Sequence, residues 1–262
     1  MITAKNKSAS LSLSPEKRNF VMFSGKRLSN QRVHIGKEEA MAMMPDLVSV
    51  LSEAEAELVQ NEMTVHHYQK NEVIYREGET PTRMMCLLSG KVKIYRDGVG
   101  GRSQIMRVAK PVEYFAYRAA FSEENYITSA AAFEPSLIVC IPIDLIKKLI
   151  LRNTQLGWFF IRKLSDSLGQ SDLRTVNLTQ KHIRGRLAES ILFLKESYGL
   201  EEDGCTLSIY LSREDMANLS NMTTSNAIRT LSNFAQEKLI AVDGRKIKII
   251  NEEGLMKVSA LG

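Results

Sequence analysis

The sequence predicts an α+β fold in which an antiparallel β-roll is followed by one long helix and a winged helix-turn-helix. Short apolar runs separated by glycines fill residues 63–142, a pattern typical of a small antiparallel roll. A heptad-like apolar pattern runs through residues 154–178. Two capped helical segments and a hairpin signal close the chain. The predicted parts are a basic tail (1–44), a β-roll domain (45–152), a dimerisation helix (153–179) and a winged-helix domain (180–262).

The composition is that of an ordinary folded protein. Hydrophobic residues make up 44% of the 262 residues, enough for a sizeable core. No stretch approaches the roughly 18 uninterrupted apolar residues of a membrane helix, and the N-terminus lacks the apolar segment of a secretion signal. The three cysteines form no Cys-x-x-Cys motif. We therefore expect a cytoplasmic protein with reduced thiols and no membrane partner.

The net charge of +5 comes from the N-terminal tail. Residues 1–44 contain eight Lys and Arg against three Glu, whereas the rest of the chain carries 27 basic and 27 acidic residues. The tail is rich in Ser, Asn and Lys without a sustained period, so we expect it to be disordered. A translation start at Met41, Met43 or Met44 is the alternative. Any nucleic-acid-binding surface on the body must arise from the local arrangement of charges.

Local signals place elements within the roll domain. Ser52, with Glu55 three residues later, predicts a capping box at the start of a short helix. The sequence DGVGG from Asp97 predicts a hairpin loop. The stretch 134–136 (Glu-Pro-Ser) predicts the turn of a second hairpin within residues 126–142.

The long helix carries a heptad-like seam with steps of three and four residues. Its positions are Ile161, Leu164, Leu168, Ser171, Thr175 and Leu178. One interpretation is a single helix packed on its own roll, and the other is a two-stranded helix that joins two copies of the chain. We favour the homodimer because the seam is longer than a roll of this size can cover, although two of its later positions are polar.

The C-terminal part contains two capped helices separated by a tight turn. An amphipathic helix over residues 181–199 precedes them. Ser212 caps a helix of residues 213–219, and Thr223 caps a second helix that runs to about Lys238. The residues expected to form the contact between the two helices are Met216, Ala217, Leu219, Ala227, Ile228 and Leu231. The dipeptide Asp243-Gly244 then predicts a hairpin in the position of a wing.

The second capped helix has one apolar and one polar face. Ala227, Leu231 and Phe234 recur at i, i+4 and i+7 and anchor it, so its opposite N-terminal turn faces outwards. This arrangement is typical of a helix that enters the DNA major groove, where Arg229 can donate two hydrogen bonds to a guanine. A solvated surface helix is the alternative. The predicted DNA-binding residues are Ser212, Arg213, Thr223, Thr224, Ser225, Asn226, Arg229 and Arg245.

This order of parts resembles the Crp/Fnr transcription regulators over about residues 45–250. The segments that carry the resemblance are KNEVIYREGE, LLSGKVKIY, QKHIRGRLAESIL and the winged helix-turn-helix that begins at Leu211. It implies a cupin-like, cyclic-nucleotide-binding-like sensor roll that controls a homodimer on a roughly two-fold, double-stranded DNA operator. By analogy alone, it also implies a contact between RNA polymerase and a surface loop such as residues 97–102.

The recognition helix departs from the pattern of that family. Thr224 and Ser225 stand where an Arg and a Glu often occur, and only Arg229 matches a family arginine. A serine cannot make the charged contact that a glutamate makes to a cytosine amine. We therefore expect an operator that differs from those of the best-known members but keeps a guanine in each half-site.

The effector site implied by the resemblance departs further. Tyr117 stands where cyclic-nucleotide binders have a Glu, and the triplet Ile127-Thr128-Ser129 replaces their Arg-Ser/Thr-Ala. Without that arginine a buried cyclic phosphate lacks a partner unless Arg118 substitutes, so cAMP is not the expected effector. The candidate effector residues are Tyr117, Arg118, Thr128 and Ser129.

Two other sensing chemistries occur among such regulators. Oxygen-sensing relatives bind an iron–sulfur cluster through N-terminal cysteines, and residues 1–44 contain none. Haem stays an alternative, with His66 or His67 as one ligand. The candidates for its second ligand are Cys86, Met84 and Met85. Adjacent strand residues point to opposite faces, so at most one of the histidines faces inwards, and half-exposed histidines without a ligand role are the simpler interpretation. No cofactor or metal site is predicted, and the effector stays open.

Two further classes of function compete with DNA binding. One is a cyclic-nucleotide- or haem-binding sensor module whose output is not DNA binding, and the predicted wing argues against it. The other is an enzyme. No enzymatic activity is predicted, because the four histidines have no catalytic or metal-ligand spacing and the sequence has no P-loop or nucleophile-elbow motif.

Overall fold

The computed structural model describes residues 35–98 and 103–262. Its first elements are the short helices α1 (Lys37–Ala42), α2 (Pro45–Val48) and α3 (Glu53–Glu62). The capping box predicted for α3 is confirmed. The Ser52 hydroxyl accepts a hydrogen bond from the Glu55 amide, and the Glu55 carboxylate accepts one from the Ser52 amide at 2.9 Å.

The predicted tail is too long at its C-terminal end. Helix α1 lies inside it and buries Ala40 and Met41 in the core of the roll domain. A helix of six residues is too short to show a period in the sequence, which explains the error. Residues 1–34, to which the rest of that prediction applies, lie outside the described residues.

The roll domain is built from antiparallel strands, as predicted. They are β1 (Thr64–Tyr68), β2 (Val73–Tyr75), β3 (Arg83–Ser89), β4 (Val92–Asp97), β5 (Ser103–Ala109), β6 (Glu113–Phe115), β7 (Ser129–Ala132) and β8 (Ser136–Pro142), with helix α4 (Arg118–Phe121) between β6 and β7. Within the described residues these strands form two sheets, of order β1-β8-β3-β6 and β2-β7-β4-β5. Leu87, Phe115 and Ile138 belong to a buried cluster to which both sheets contribute.

One predicted hairpin is confirmed and the other is wrong. Strands β4 and β5 pair with Asp97 opposite Ser103, although residues 99–102 of their loop lie outside the described residues. Strands β7 and β8 do not pair with each other, because β7 pairs with β2 and β4 whereas β8 pairs with β1 and β3. Both strands are buried along nearly their whole length, so no apolar–polar alternation reveals which sheet each one joins.

Two helices follow the roll, α5 (Ile143–Ile150) and the long α6 (Thr154–Gln180). The first turns of α6 bury Leu156, Phe159 and Phe160 in the roll domain, and its later turns are more exposed. The predicted seam divides into two groups. Ile161, Leu168, Ser171 and Thr175 are exposed, whereas Leu164 and Leu178 are half-buried against the same chain. The apolar face that α6 leaves open therefore lies about one residue to the side of the predicted seam and includes Trp158, which is 58% exposed.

The C-terminal domain is helical with a two-stranded wing. Its elements are α7 (Ile183–Tyr198), α8 (Arg213–Leu219), α9 (Thr224–Gln236), β9 (Ile240–Asp243), β10 (Lys246–Ile249) and α10 (Glu252–Leu261). Its buried core contains Ile191 of α7, Met216 of α8 and Phe234 of α9, and it extends to Ile105 and Val108 of β5. The domain is thus packed against the roll, a contact that the sequence does not reveal.

No helix in the described part of the chain is long and apolar enough to cross a membrane. In residues 35–98 and 103–262, no three His, Cys, Asp or Glu side chains converge as a metal site would require. Cys86 and Cys140 are buried free thiols, and Cys205 is partly exposed.

Candidate nucleic-acid interface

Two capping side chains define where the helices of the helix-turn-helix begin. The Ser212 hydroxyl accepts from the Asp215 amide at 3.0 Å, and the Thr223 hydroxyl accepts from the Asn226 amide at 3.3 Å. These are the helix starts that the sequence predicts. Between the two helices, Asn221 adopts the left-handed conformation (φ +50°), which asparagine tolerates better than most residues. The turn is therefore fixed by local chemistry.

Helix α9 is anchored by Ala227, Thr230, Leu231 and Phe234, all of them buried. Ile228 is not part of this face, because its side chain is 47% exposed. Its predicted packing against α8 is therefore wrong. Successive residues of a helix are rotated by about 100° about its axis. Ile228, one residue after Ala227, therefore points away from α8, whereas Thr230, three residues after Ala227, returns to the buried face.

The opposite face of α9 presents small polar side chains and one arginine. Thr224, Ser225 and Arg229 are exposed, and Asn226 is partly exposed. The Arg229 guanidinium donates to Asn226 Oδ1 at 2.9 Å, which holds it along the first turns of the helix. The helix N-terminus adds a partial positive charge to the same end. Donors and acceptors of this kind suit base edges and phosphates in a major groove.

The wing stands beside the start of α8. Asp243 pairs with Lys246, so the two turn residues are Gly244 and Arg245, one position later than the predicted Asp243-Gly244. Gly244 has a φ of +54°, and Arg245 is exposed at the tip. The Arg213 guanidinium donates to the Gly244 carbonyl at 2.7 Å. Arg213 therefore braces the wing turn and brings Arg245 to the same edge of the domain as α8.

The predicted DNA-binding residues thus separate into two roles. Thr224, Ser225, Arg229 and Arg245 are exposed and accessible to a ligand. Ser212, Thr223, Asn226 and Arg213 make hydrogen bonds within the domain, and Asn226 makes its bond with the exposed Arg229. The Ser212 hydroxyl also donates to the Asp215 carboxylate at 2.7 Å. Sequence reasoning missed the exposed Ile228. Its position directly before Arg229, one residue outside the apolar stripe, was the available signal.

The candidate effector residues make separate contacts. Tyr117 is buried and packs on Phe160 of α6, with ring centroids 5.3 Å apart. Arg118 is exposed and pairs with Glu124 at 3.5 Å. Ser129 is buried and accepts from the Glu77 amide at 3.0 Å, and Thr128 is half-buried beside it.

The candidate haem ligands are likewise separate. His66 is half-buried and lies 3.3 Å from the Arg83 guanidinium, whereas His67 is exposed. Burial and the Arg83 charge lower the pKa of His66. Met84, Met85 and Cys86 are buried: Met84 and Cys86 lie in one core cluster and Met85 in another.

Two family models match the chain. Residues 65–153 match the cyclic nucleotide-binding domain, and residues 185–258 match the Crp-like helix-turn-helix domain. The two matches coincide with the roll and with the domain that carries α8, α9 and the wing. Both the candidate haem ligands and the candidate effector residues lie within the first of them.

Relatives and solved structures agree with these matches. The chain is 24% identical to the CRP-like cAMP-activated global transcriptional regulator of Mycobacterium tuberculosis, over 72% of this chain and 85% of that protein. It is 24% identical to the anaerobic regulatory protein of Bacillus subtilis, over 78% and 86%. Its fold is similar to FixK2 from Bradyrhizobium japonicum (TM-score 0.68, 20% identity, 75% of this chain and 96% of that one). A regulator of the Crp/Fnr family from Eubacterium rectale gives a TM-score of 0.69 at 16% identity, over 82% and 97%.

A roll that matches the cyclic nucleotide-binding domain, a long helix and a Crp-like helix-turn-helix follow one another in this chain. The matched domains and relatives are transcription regulators rather than enzymes. The chain therefore combines a cyclic nucleotide-binding domain with a Crp-like helix-turn-helix domain, and it is a transcription regulator of the Crp/Fnr type.

Proposed function

We propose that this regulator is a homodimer that reads a two-fold DNA operator with the exposed face of α9. The observation that carries the proposal is the division of α9 into two faces. Its apolar face is buried in the domain, while Thr224, Ser225 and Arg229 are exposed, as is Arg245 at the tip of the wing. A helix that projects its N-terminal side chains in this way fits the B-DNA major groove.

Arg229 is the residue expected to select a guanine in each half-site. Its fork of donors matches the O6 and N7 acceptors of guanine, and such a pair contributes on the order of 1–3 kcal/mol of discrimination. Ser225 is too short and uncharged to accept from a cytosine amine as a glutamate does. We therefore expect an operator unlike those read by a Glu-bearing helix, with one guanine per half-site as its strongest position.

Dimerisation through α6 supplies the two-fold symmetry. In a single chain the helix leaves Trp158, Ile161 and Leu168 between 49% and 64% exposed. Three large apolar side chains along one face of a helix mark an interaction surface. A second copy of the same helix covers this face in an isologous contact, which relates the two copies of α9 by a two-fold axis.

The effector of this regulator is not expected to be cAMP. Tyr117 is packed into the roll against α6, and Arg118 is already paired with Glu124 on the surface. Neither side chain offers a buried cation to a cyclic phosphate, which is costly to bury unpaired. Activity in the cytoplasm and a contact of loop 97–102 with RNA polymerase belong to the same proposal, on the basis of family analogy.

Selection of bound sequences from a random DNA pool tests the proposal. The purified wild type should enrich an inverted repeat, and Arg229→Ala should lose selectivity at one guanine per half-site while other positions persist. Arg152→Ala is the matched control, because Arg152 is an exposed arginine between α5 and α6, outside both the helix-turn-helix and the proposed dimer helix. Enrichment of no sequence by the wild type, with and without residues 1–34, would contradict the proposal.

A sensor module without DNA output is the second candidate function. The match of residues 65–153 to the cyclic nucleotide-binding domain favours it. Calorimetric titration with cAMP and an absorption scan for haem, each combined with the DNA selection, separate the two candidate functions. A ligand-loaded protein that still enriches no operator would support the sensor module, and an inverted repeat enriched without added ligand would exclude it as the sole function.

A further inference from the structure

Arg174 connects three elements of the structure through main-chain carbonyls. It lies near the C-terminal end of α6 and is partly buried. Its Nη1 donates to the Met106 carbonyl at 2.5 Å, and its Nη2 donates to the carbonyls of Ile105 at 2.6 Å and Leu219 at 3.0 Å. Two acceptors are on β5 of the roll, and the third ends α8 of the helix-turn-helix.

The chemistry of arginine suits this position. A guanidinium carries five donors in a rigid plane, so one side chain can satisfy several carbonyls from different directions. A lysine ammonium has three donors on a flexible stem and cannot reproduce the same fork. Arg174 is therefore a connector with a fixed geometry, and a neutral or differently shaped side chain does not replace it.

Other contacts hold the same interface between roll and helix-turn-helix. Lys93 pairs with Asp215 of α8 at 3.2 Å, and Gln104 donates to the Asn218 carbonyl at 2.7 Å. Apolar side chains of β5 complete it from within the core of the C-terminal domain. Each of these contacts joins only two elements. Arg174 differs because it also connects α6, the proposed dimer helix, to the interface between roll and helix-turn-helix.

The carbonyl of Leu219 is close to the start of the reading helix. Only the turn Ser220–Met222 and the cap Thr223 separate it from α9. Both ends of that turn are bonded to α8, because the Ser220 amide donates to the Met216 carbonyl and the Met222 amide donates to the Ala217 carbonyl, each at 3.0 Å. A bond from α6 to Leu219 therefore constrains where α9 begins relative to α6. In a dimer built on α6, the same bond made twice constrains the distance between the two copies of α9.

We propose that Arg174 is a positioning residue that sets the separation of the two reading helices, and with it the half-site spacing that the dimer accepts. The proposal rests on the proposed function, because it needs a dimer that reads two half-sites. Arg174 does not touch DNA in this scheme. It determines which half-site spacing the dimer accepts, whereas α9 contacts the bases within each half-site.

The test uses operators that share both half-sites but differ by one or two base pairs in the central spacer. The full-length wild type should bind the best spacer at least about tenfold more tightly than its neighbours, since half-site spacing is a geometric property of such dimers. Arg174→Met should reduce that ratio to about twofold while guanine selectivity at Arg229 is retained. Arg174→Lys should give an intermediate ratio. Arg152→Met, the matched substitution at an exposed arginine between α5 and α6, should behave as wild type.

Distances between the two reading helices give a readout that does not depend on DNA. Nitroxide labels at Ser232→Cys, an exposed position of α9, are measured in the dimer with Cys205 replaced by serine. The distance distribution should be narrow in the labelled protein that retains Arg174 and broad in the labelled Arg174→Met variant.

The possible results separate the two proposals. A folded, dimeric Arg174→Met protein with the wild-type spacing ratio and a narrow distance distribution would overturn the role of Arg174. If that variant does not fold, Arg174→Lys decides, and a wild-type ratio in it would overturn the role equally. Failure of the wild type to bind any operator would count against the proposed function instead, and the label distances would still test Arg174.

Discussion

The Arg229 guanidinium and the Asn226 side-chain oxygen form a 2.9 Å hydrogen bond on the exposed face of α9. The two residues are three positions apart, so they lie next to each other on the helix surface. The bond restricts an otherwise flexible arginine before any DNA arrives. If Arg229 reads a base as proposed, Asn226 is expected to act on base selection by holding Arg229 in place.

Asn226→Ala should weaken operator binding because Arg229 must then be ordered on binding. Immobilising one such side chain costs about 1 kcal/mol, which corresponds to roughly fivefold in Kd. The double variant with Arg229→Ala should bind no more weakly than Arg229→Ala alone, which fluorescence anisotropy can check. Additive losses in the double variant would show that Asn226 acts independently.

Ile228 should contact the C5-methyl group of a thymine. It is 47% exposed beside Arg229, and an apolar side chain on a helix that enters the major groove finds its complement in that methyl. Replacing the thymine by deoxyuridine removes only the methyl. We expect a loss of about 1 kcal/mol in binding to wild type from this replacement.

The control is to measure the same thymine-to-deoxyuridine replacement with a variant whose side chain at position 228 is shorter. Ile228→Ala should bind thymine and deoxyuridine operators equally, and deoxyuridine at thymines outside the half-sites should have no effect. If no single thymine-to-deoxyuridine change distinguishes wild type from Ile228→Ala, the isoleucine is a surface residue without a role in base selection.

Gly90 should tolerate alanine less well than Gly78, although both have left-handed backbone angles. Their φ values are +89° and +86°, so alanine at either should cost about 1–2 kcal/mol of stability. A Cβ at Gly90 would also come within 2.6 Å of the Pro135 carbonyl, whereas a Cβ at Gly78 meets nothing within 4 Å. Urea unfolding should therefore show a further loss of about 1–3 kcal/mol for Gly90→Ala. Equal losses would contradict the close contact.

Cys205 should react with a thiol reagent in the native protein, whereas the other two cysteines should not. Burial raises the pKa of Cys140 to about 11, so at pH 8 only about 0.1% of that thiol is ionised. Burial likewise raises the pKa of Cys86. Titration with a chromogenic disulfide should count one thiol in the native protein and three in denaturant. Cys205→Ser should remove the native signal, and a remaining fast thiol would show that the roll opens.

Local signals made the helix-turn-helix predictable from the sequence, whereas long-range contacts were not predictable. The caps Ser212 and Thr223 act within three residues, so both helix starts follow from the sequence. Strands β7 and β8 join different sheets because they pair with different distant strands, and their burial on both faces leaves no alternation in the sequence that reveals the partners. Lys93 and Asp215 are 122 positions apart, and nothing in either local sequence indicates their contact.

The predicted seam of α6 depends on both local spacing and long-range packing, so the sequence predicts it only in part. The variant Leu168→Glu tests whether this seam is the dimer interface. Ile161 and Leu168 are exposed in one chain, as a dimer seam requires, but heptad spacing could not tell that Leu164 packs on its own roll. A glutamate at Leu168, which is 64% exposed in one chain, would be buried and unpaired in the dimer. We expect Leu168→Glu to be a folded monomer by sedimentation equilibrium and to lose its preference for an inverted repeat over a single half-site. Gln170→Glu adds a carboxylate on the same helix outside the seam and should stay dimeric. A dimeric Leu168→Glu protein would place the interface elsewhere, and the spacing role of Arg174 would then need a different two-fold contact.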